Sequence, residues 1–240
     1  DVNPKTESRE EVQYSTESGF KDVLTGVYIQ LASENLYGKQ MTMNFTELLA
    51  QHWATTAFDA SAEHYIRTYD FTQSKAETVN TTIWKQYFEA IANLNNLLVR
   101  LEDKKEILSP VNYKLLKGEA LGLRGFLHLD ILRLWGPVPG VASSSEEAIP
   151  YVTEMTKDLG RLLSLPYNQV VGYILRDLND AEELLQDDPI TGYSMTYLNN
   201  PANAKQGELE DEWHYYRQNQ RPAIIFGSAR KKRREHMRMK

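Results

Sequence analysis

The chain contains no cysteine, which excludes disulfide bonds and a cysteine nucleophile. No apolar run reaches about 18 residues, the length that a membrane-spanning helix requires. No Gly-x-Ser-x-Gly sequence is present to form the nucleophile elbow of a serine hydrolase. None of the 5 histidines lies in a familiar metal-binding spacing such as His-Glu-x-x-His. We therefore expect a protein without catalytic residues, metal ion or cofactor.

The balance of charges is acidic, with a net charge of -6. Such a chain has no general attraction to nucleic acid, whose phosphates select basic proteins. The basic cluster at residues 230–234 is open to two interpretations, a patch for an acidic surface or the exposed first turns of a helix. Overall acidity and the lack of a nucleic-acid-binding motif favour the second, so we expect no nucleic-acid partner.

Apolar residues recur at steps of three and four along much of the chain, which predicts amphipathic helices. The most apolar of them begins after Ser109 and Pro110, a capping residue and a residue preset for the first turn, and ends before Gly136. The predicted helices cover residues 16–33, 79–102, 110–135 and 167–186, with a short helix or ordered loop at 45–49.

Three glycines lie inside the helix predicted at 110–135, at Gly118, Gly122 and Gly125. A glycine in a helix interior costs about 1 kcal/mol relative to alanine. Close approach of a neighbouring helix is the gain that we expect to offset this cost. His128 lies on the same helix, and we expect it in the core with its ring nitrogens hydrogen-bonded.

The same helix carries a specific motif, in which Glu-Ala and Leu-Arg-Gly precede a terminal Trp-Gly-Pro-Val-Pro. The residues concerned are Glu119, Ala120, Leu123, Arg124, Gly125, Phe126, Asp130, Arg133, Trp135, Gly136, Pro137, Val138 and Pro139. This motif resembles the signature helix of the SusD/RagB family of outer-membrane nutrient-binding lipoproteins. The chain departs from the family pattern at Gly122, Gly125 and His128.

The resemblance implies a fold class, mostly α, with tetratricopeptide-like helical hairpins, long irregular loops and a missing C-terminal part. Residues 1–240 would form the N-terminal helical-repeat region, with hairpins at about 79–135 and 167–240. The second hairpin would be truncated, its second helix starting near Ser228. Residues 1–15 would be an extended leader that follows a removed lipidated cysteine.

The resemblance also implies a function, the non-catalytic binding of an oligosaccharide at the cell surface. The sugar would pass to a SusC-type TonB-dependent transporter. The protein would be an outward-facing lipoprotein of the outer membrane, held only by a lipid anchor ahead of residue 1. Two alternatives remain open: a peptide-binding, RagB-like uptake protein, and a helical-repeat scaffold for protein partners without a small ligand.

Candidate ligand-binding residues lie in the stretch 51–80, which is rich in aromatic residues but has no clear periodicity. A flat aromatic ring can stack on the apolar face of a sugar while polar neighbours bind the hydroxyls. The alternative is ordinary packing of a loop. The aromatic candidates are Trp53, Tyr65 and Tyr69, and their polar partners are Asp59 and Arg67, with Glu63 and Asp70 as further possibilities. Weaker candidates for the same role are Trp213, Tyr215 and Tyr216.

Overall fold

The computed structural model describes residues 11–56, 60–138, 143, 145–154 and 162–186. The chain divides into two compact units, 1–185 and 186–240, and the description below concerns the first. Several predictions fall outside the described residues. They are the leader at 1–10, Asp59, the aromatic residues Trp213, Tyr215 and Tyr216, the basic cluster at 230–234 and the second helix of the second hairpin.

The described unit is built from α-helices. They are α1 (Glu17–Leu31), α2 (Gln40–Met43), α3 (Phe45–Leu49), α4 (Ala62–Arg67), α5 (Ser74–Asp103), α6 (Pro110–Trp135) and α7 (Tyr167–Leu184), with a 3-10 turn at Lys105–Ile107. Helix α6 has its predicted bounds, whereas α5 begins at Ser74 rather than at about residue 79. None of the helices in the described part of the chain has the length and apolar character needed to span a bilayer.

The first described residues differ from the extended leader that was predicted. Residues 11–13 are helical, and Tyr14 is buried. The ring of Tyr14 packs edge-on against Phe20 of α1, with 5.0 Å between the ring centroids. Burial of this ring fixes the end of the leader against the helix that follows it.

Local capping sets where α1 and α6 begin. The Thr16 hydroxyl accepts a hydrogen bond from the Gly19 N–H at 3.2 Å, and the Ser109 hydroxyl accepts one from the Asn112 N–H at 3.3 Å. Glu17 in the first turn of α1 links the two helices, because its carboxylate accepts from the Ser109 N–H at 2.8 Å. Burial raises the pKa of Glu17, but this hydrogen bond together with Lys21 and Asn112 outweighs it and holds the pKa below its usual value.

Helices α5 and α6 form an antiparallel hairpin. At one end the Tyr113 hydroxyl donates to Glu102 at 2.8 Å, and at the other the Trp135 indole N–H donates to Asn80 at 3.1 Å. The late residue of one helix thus meets the early residue of the other at both ends. This is the helical-hairpin fold that was predicted. The division into hairpins at 79–135 and 167–240 stays a prediction, because most of the second lies outside the described residues.

Two glycines of α6 allow α7 to pack closely on it. A Cβ atom at Gly118 would lie 2.8 Å from Cγ of Leu185, and one at Gly125 would lie 3.2 Å from Cγ of Leu178. The predicted close approach of a neighbouring helix is therefore confirmed at both positions.

A buried polar network joins α5, α6 and α7. The Arg124 guanidinium donates to both carboxylate oxygens of Asp177, at 2.6 and 3.0 Å, and to the side-chain oxygen of Asn95 at 3.0 Å. The Tyr151 hydroxyl donates to Asp177 at 2.6 Å. Burial and the negative charge of Asp177 raise the pKa of Tyr151, so the hydroxyl remains a donor. The signature-motif arginine therefore acts inside the scaffold.

His128 completes this network and ties the segment at residues 145–154 to the helices. Its Nε2 accepts the Val152 N–H at 3.0 Å, which leaves Nδ1 to donate to the Arg124 carbonyl at 2.8 Å. The imidazole stacks on Tyr151 with 3.9 Å between the centroids. Burial lowers the pKa of His128 to about 4. The prediction of a core histidine with bonded ring nitrogens is confirmed.

Candidate functional site

The candidate aromatic residues lie on the connection between α3 and α5, described at residues 50–56 and 60–73, which we call the α3–α5 connection. The sequence predicts an irregular stretch here, and this is wrong for residues 62–67, which form α4. The Ser61 hydroxyl caps α4 by accepting from the His64 N–H at 3.2 Å, and Ile66 is buried. A helix of 6 residues is too short to show an apolar period, so only its capping serine could have indicated it.

Two residues of this connection have an unusual backbone conformation. Gln51 has a φ of 57° and Tyr69 a φ of 58°, and in the described residues they are the only non-glycine residues with positive φ. In each case the N–H of the following residue donates to the carbonyl five positions before it. After α3 the His52 N–H donates to the Glu47 carbonyl at 3.0 Å, and after α4 the Asp70 N–H donates to the Tyr65 carbonyl at 2.9 Å. This is the Schellman helix end, which normally takes glycine. A residue with a Cβ costs about 1–2 kcal/mol there.

Side chains at residues 64–69 hold the backbone and side chains of residues 49–55. The three cross-links run from the Tyr69 hydroxyl to the Leu49 carbonyl (2.6 Å), from Arg67 Nε to the Trp53 carbonyl (2.9 Å), and between His64 Nδ1 and the Thr55 hydroxyl (3.2 Å). As the residue number rises in one segment it falls in the other, so the two segments lie antiparallel. The α3–α5 connection is therefore a braced structure.

The rings of Trp53 and Tyr69 remain exposed on this braced connection. Trp53 is 51% exposed and Tyr69 is 55% exposed. Because the Tyr69 hydroxyl is bonded to a carbonyl, its ring is the part available to a ligand. Tyr65 differs from both: it is half-buried and packs edge-on against His64 at 5.7 Å.

Of the predicted site, the structure brings Arg67 and Trp53 into direct contact, and it holds Tyr69 on the same connection through its bond to Leu49. The Nε of Arg67 donates to the Trp53 carbonyl, and sequence spacing does not predict this contact. Asp59 lies outside the described residues. The binding role of all these residues stays a prediction.

The other polar candidates are used locally or are exposed. Asp70 accepts from the Thr72 hydroxyl at 2.5 Å and from the Gln73 amide at 3.1 Å, and these bonds hold its pKa below the usual value. Glu63 is exposed. His64 was not among the predicted site residues, because nothing in the sequence indicates its contact with Thr55. Within the described residues, no group of acidic residues and histidines could hold a metal ion.

Solved structures share this fold. A SusD superfamily protein from Bacteroides thetaiotaomicron matches with a TM-score of 0.57 and 18% identity, covering 70% of this chain and 37% of its own. A SusD-like carbohydrate binding protein from Bacteroides vulgatus matches with a TM-score of 0.55 and 19% identity, covering 72% of this chain and 36% of its own. A SusD superfamily protein from Bacteroides vulgatus matches with a TM-score of 0.56 and 21% identity, covering 88% and 44%.

The chain thus spans less than half the length of these solved structures that it matches. No curated relative matches it. Residues 1–204 match the model of a SusD-like family described as "Starch-binding associating with outer membrane". This match covers most of the 240 residues, and it agrees with the resemblance carried by the motif of α6 and with the mostly helical fold. The chain therefore belongs to this SusD-like, outer-membrane-associated family.

Proposed function

We propose that the protein captures an oligosaccharide without cleaving it, by stacking sugar rings on Trp53 and Tyr69. The observation that carries the proposal is the pair of exposed rings on a connection whose backbone is already fixed. A binding surface that is ordered before the ligand arrives loses little conformational entropy on binding. The family description supports a carbohydrate as the ligand.

The expected contribution of each ring follows from its exposed area. Covering about 40–80 Å² of apolar ring surface at about 25 cal/mol per Å² is worth about 1–2 kcal/mol. Since 1.4 kcal/mol is about tenfold in affinity, loss of one ring should weaken binding about 5- to 30-fold.

We further propose that the protein works at the outer face of the outer membrane. There it would hand the oligosaccharide to a SusC-type TonB-dependent transporter, and a lipid ahead of residue 1 would anchor it. The family's association with the outer membrane supports this location. Peptide uptake and a scaffold role without a small ligand are the competing functions.

Calorimetric titration with maltooligosaccharides and with mixed peptides tests the proposal. Trp53→Ala and Tyr69→Ala should each weaken glycan binding by the factor above. Ile29→Ala, which removes an apolar side chain 69% exposed on α1, is the matched control and should leave binding unchanged. A peptide signal with no response to any glycan would establish the peptide function instead.

The transporter step needs a separate measurement. The tagged protein should copurify from detergent-solubilised outer membranes with a TonB-dependent barrel, and Trp53→Ala should copurify equally well. Copurification of the barrel, with no calorimetric signal for any glycan or peptide, would favour the scaffold function.

A further inference from the structure

Arg67 makes a contact that differs from the ligand contact expected of it. Its Nε donates to the backbone carbonyl of Trp53 at 2.9 Å, across 14 positions of the chain. Arg67 is the last residue of α4, and the preceding Ile66 is only 1% exposed. The guanidinium therefore projects from a helix that is itself anchored in the core.

Trp53 has little other support. Its neighbours Gln51, His52 and Ala54 are all exposed, so packing does not fix this stretch. On one side the anchor is His52, whose N–H donates to the Glu47 carbonyl at 3.0 Å and whose Nδ1 contacts the Glu47 carboxylate at 2.8 Å. On the other side it is the contact of His64 with Thr55. The bond from Arg67 lies between them, and it is the one that reaches the tryptophan itself.

We propose that Arg67 is a positioning residue, which fixes the orientation of the Trp53 ring and does not touch the ligand. As far as ligand affinity is concerned, this inference rests on the proposed function. Without the Arg67 bond, the backbone carbonyl of Trp53 loses its hydrogen-bond donor, and the ring samples several orientations. Binding must then select one orientation, so affinity falls by the fraction of molecules that have it.

The size of the effect follows from the strength of one charge-assisted hydrogen bond. Such bonds shift an equilibrium by about tenfold where they are well formed, and by less where they are exposed. Loss of the bond should therefore weaken glycan binding by up to about tenfold. The effect should be present even though no ligand group contacts Arg67.

Fluorine NMR of the ligand-free protein, labelled with 5-fluorotryptophan, tests the positioning directly. The chain has 4 tryptophans, and Trp53→Phe identifies the resonance of Trp53. Arg67→Met keeps the length of the side chain and removes its donors, whereas Arg67→Lys keeps a donor. Arg67→Met should shift or broaden the Trp53 resonance and leave that of Trp84 unchanged, and Arg67→Lys should restore it in part.

The matched control is Arg176→Met, which removes a half-exposed arginine on α7. It should leave both the Trp53 resonance and glycan binding unchanged. An unchanged Trp53 resonance in Arg67→Met would overturn the proposal, and weaker binding in that case would show direct contact with the ligand. Where Trp53→Ala does weaken glycan binding, a shifted resonance in Arg67→Met with unaltered affinity would also overturn it.

The two proposals fail in different ways. If Trp53→Ala binds maltooligosaccharide as well as the unsubstituted protein, the proposed glycan site is wrong. The resonance of Trp53 in Arg67→Met still decides whether Arg67 orients the ring, because that measurement needs no ligand.

Discussion

Breaking the buried ion pair between Arg124 and Asp177 should destabilise the fold far more than breaking an exposed pair. Their side chains are 8% and 1% exposed, and the guanidinium is bonded to both carboxylate oxygens. Removing Asp177 leaves the Arg124 charge buried and unpaired, and removing Arg124 leaves Asp177 only the longer ion pair with half-exposed Arg176, at 3.6 Å. Loss of one partner of a buried pair costs about 3–5 kcal/mol. A domain is stable by only about 5–15 kcal/mol, so each single variant would lose a large part of the total.

Three variants separate the ion pair from its surroundings: Arg124→Met, Asp177→Leu and the double variant. The double variant removes both charges, so no unpaired charge remains in the core. It still leaves the Tyr151 hydroxyl and the side-chain oxygen of Asn95 without the partners they have here, at about 1–3 kcal/mol each. We expect its cost to lie well below the sum of the single costs, which is the sign of coupling in a double-mutant cycle.

Urea unfolding followed by circular dichroism measures these costs. Each single variant should also lower Tm by roughly 6–20 °C, given about 2–4 °C per kcal/mol for a domain of this size. Lys117→Met, which breaks the pair with the half-exposed Glu102, is the control and should cost about 1 kcal/mol or less. The reasoning would be refuted if each single variant lost as little free energy of unfolding as the control, or if the loss in the double variant equalled the sum of the two single losses.

Three further predictions concern glycine packing, backbone strain and pH. Gly118→Ala should lower the free energy of unfolding, because its Cβ would lie 2.8 Å from Leu185, whereas Gly26→Ala, with nothing within 4 Å, should raise it by about 0.5–1 kcal/mol; equal effects in urea unfolding would contradict this. Gln51→Gly should relieve about 1–2 kcal/mol of strain at φ 57°, and the greater freedom of glycine in the unfolded chain reduces the net gain in the free energy of unfolding to about 0.5–1 kcal/mol; an unchanged urea midpoint would argue against strain there. Between the usual pKa of 6.5 and the folded-state value of about 4, unfolded chains bind more protons at His128, so stability should fall as pH drops through this window. The loss from pH 7 to pH 5 should be about 2 kcal/mol smaller in His128→Gln, and equal losses would contradict the burial of a neutral imidazole.

The helices could be predicted from sequence wherever local signals determine them. Ser109 and Pro110 set the start of α6, and Gly136 sets its end, so its bounds were found without knowledge of the fold. The start of α5 was placed too late, because its first turn is polar and only Ala76 is buried there. Tertiary contact with the core, which a local pattern does not contain, extends this helix.

The candidate site was predictable only in part. Trp53 and Tyr69 stand out because they break the helical period, and the structure leaves both exposed. The role of Arg67 was not predictable, because a hydrogen bond across 14 positions depends on how two segments meet. The left-handed backbone at Tyr69 was equally hidden, since glycine or asparagine is the usual signal for that conformation.

Backbone strain at Gln51 and Tyr69 gives an independent reason to look for function on the α3–α5 connection. Glycine at either position would relieve about 1–2 kcal/mol of strain, yet the chain has a full side chain at both. At Tyr69 the left-handed turn accompanies the bond from the hydroxyl to the Leu49 carbonyl, and the ring remains 55% exposed. Strained residues persist where the surrounding structure holds them, and they concentrate at binding sites. A ring that served only to fill the core would be buried, so the cost at Tyr69 supports the proposal that this surface is held ready for a ligand.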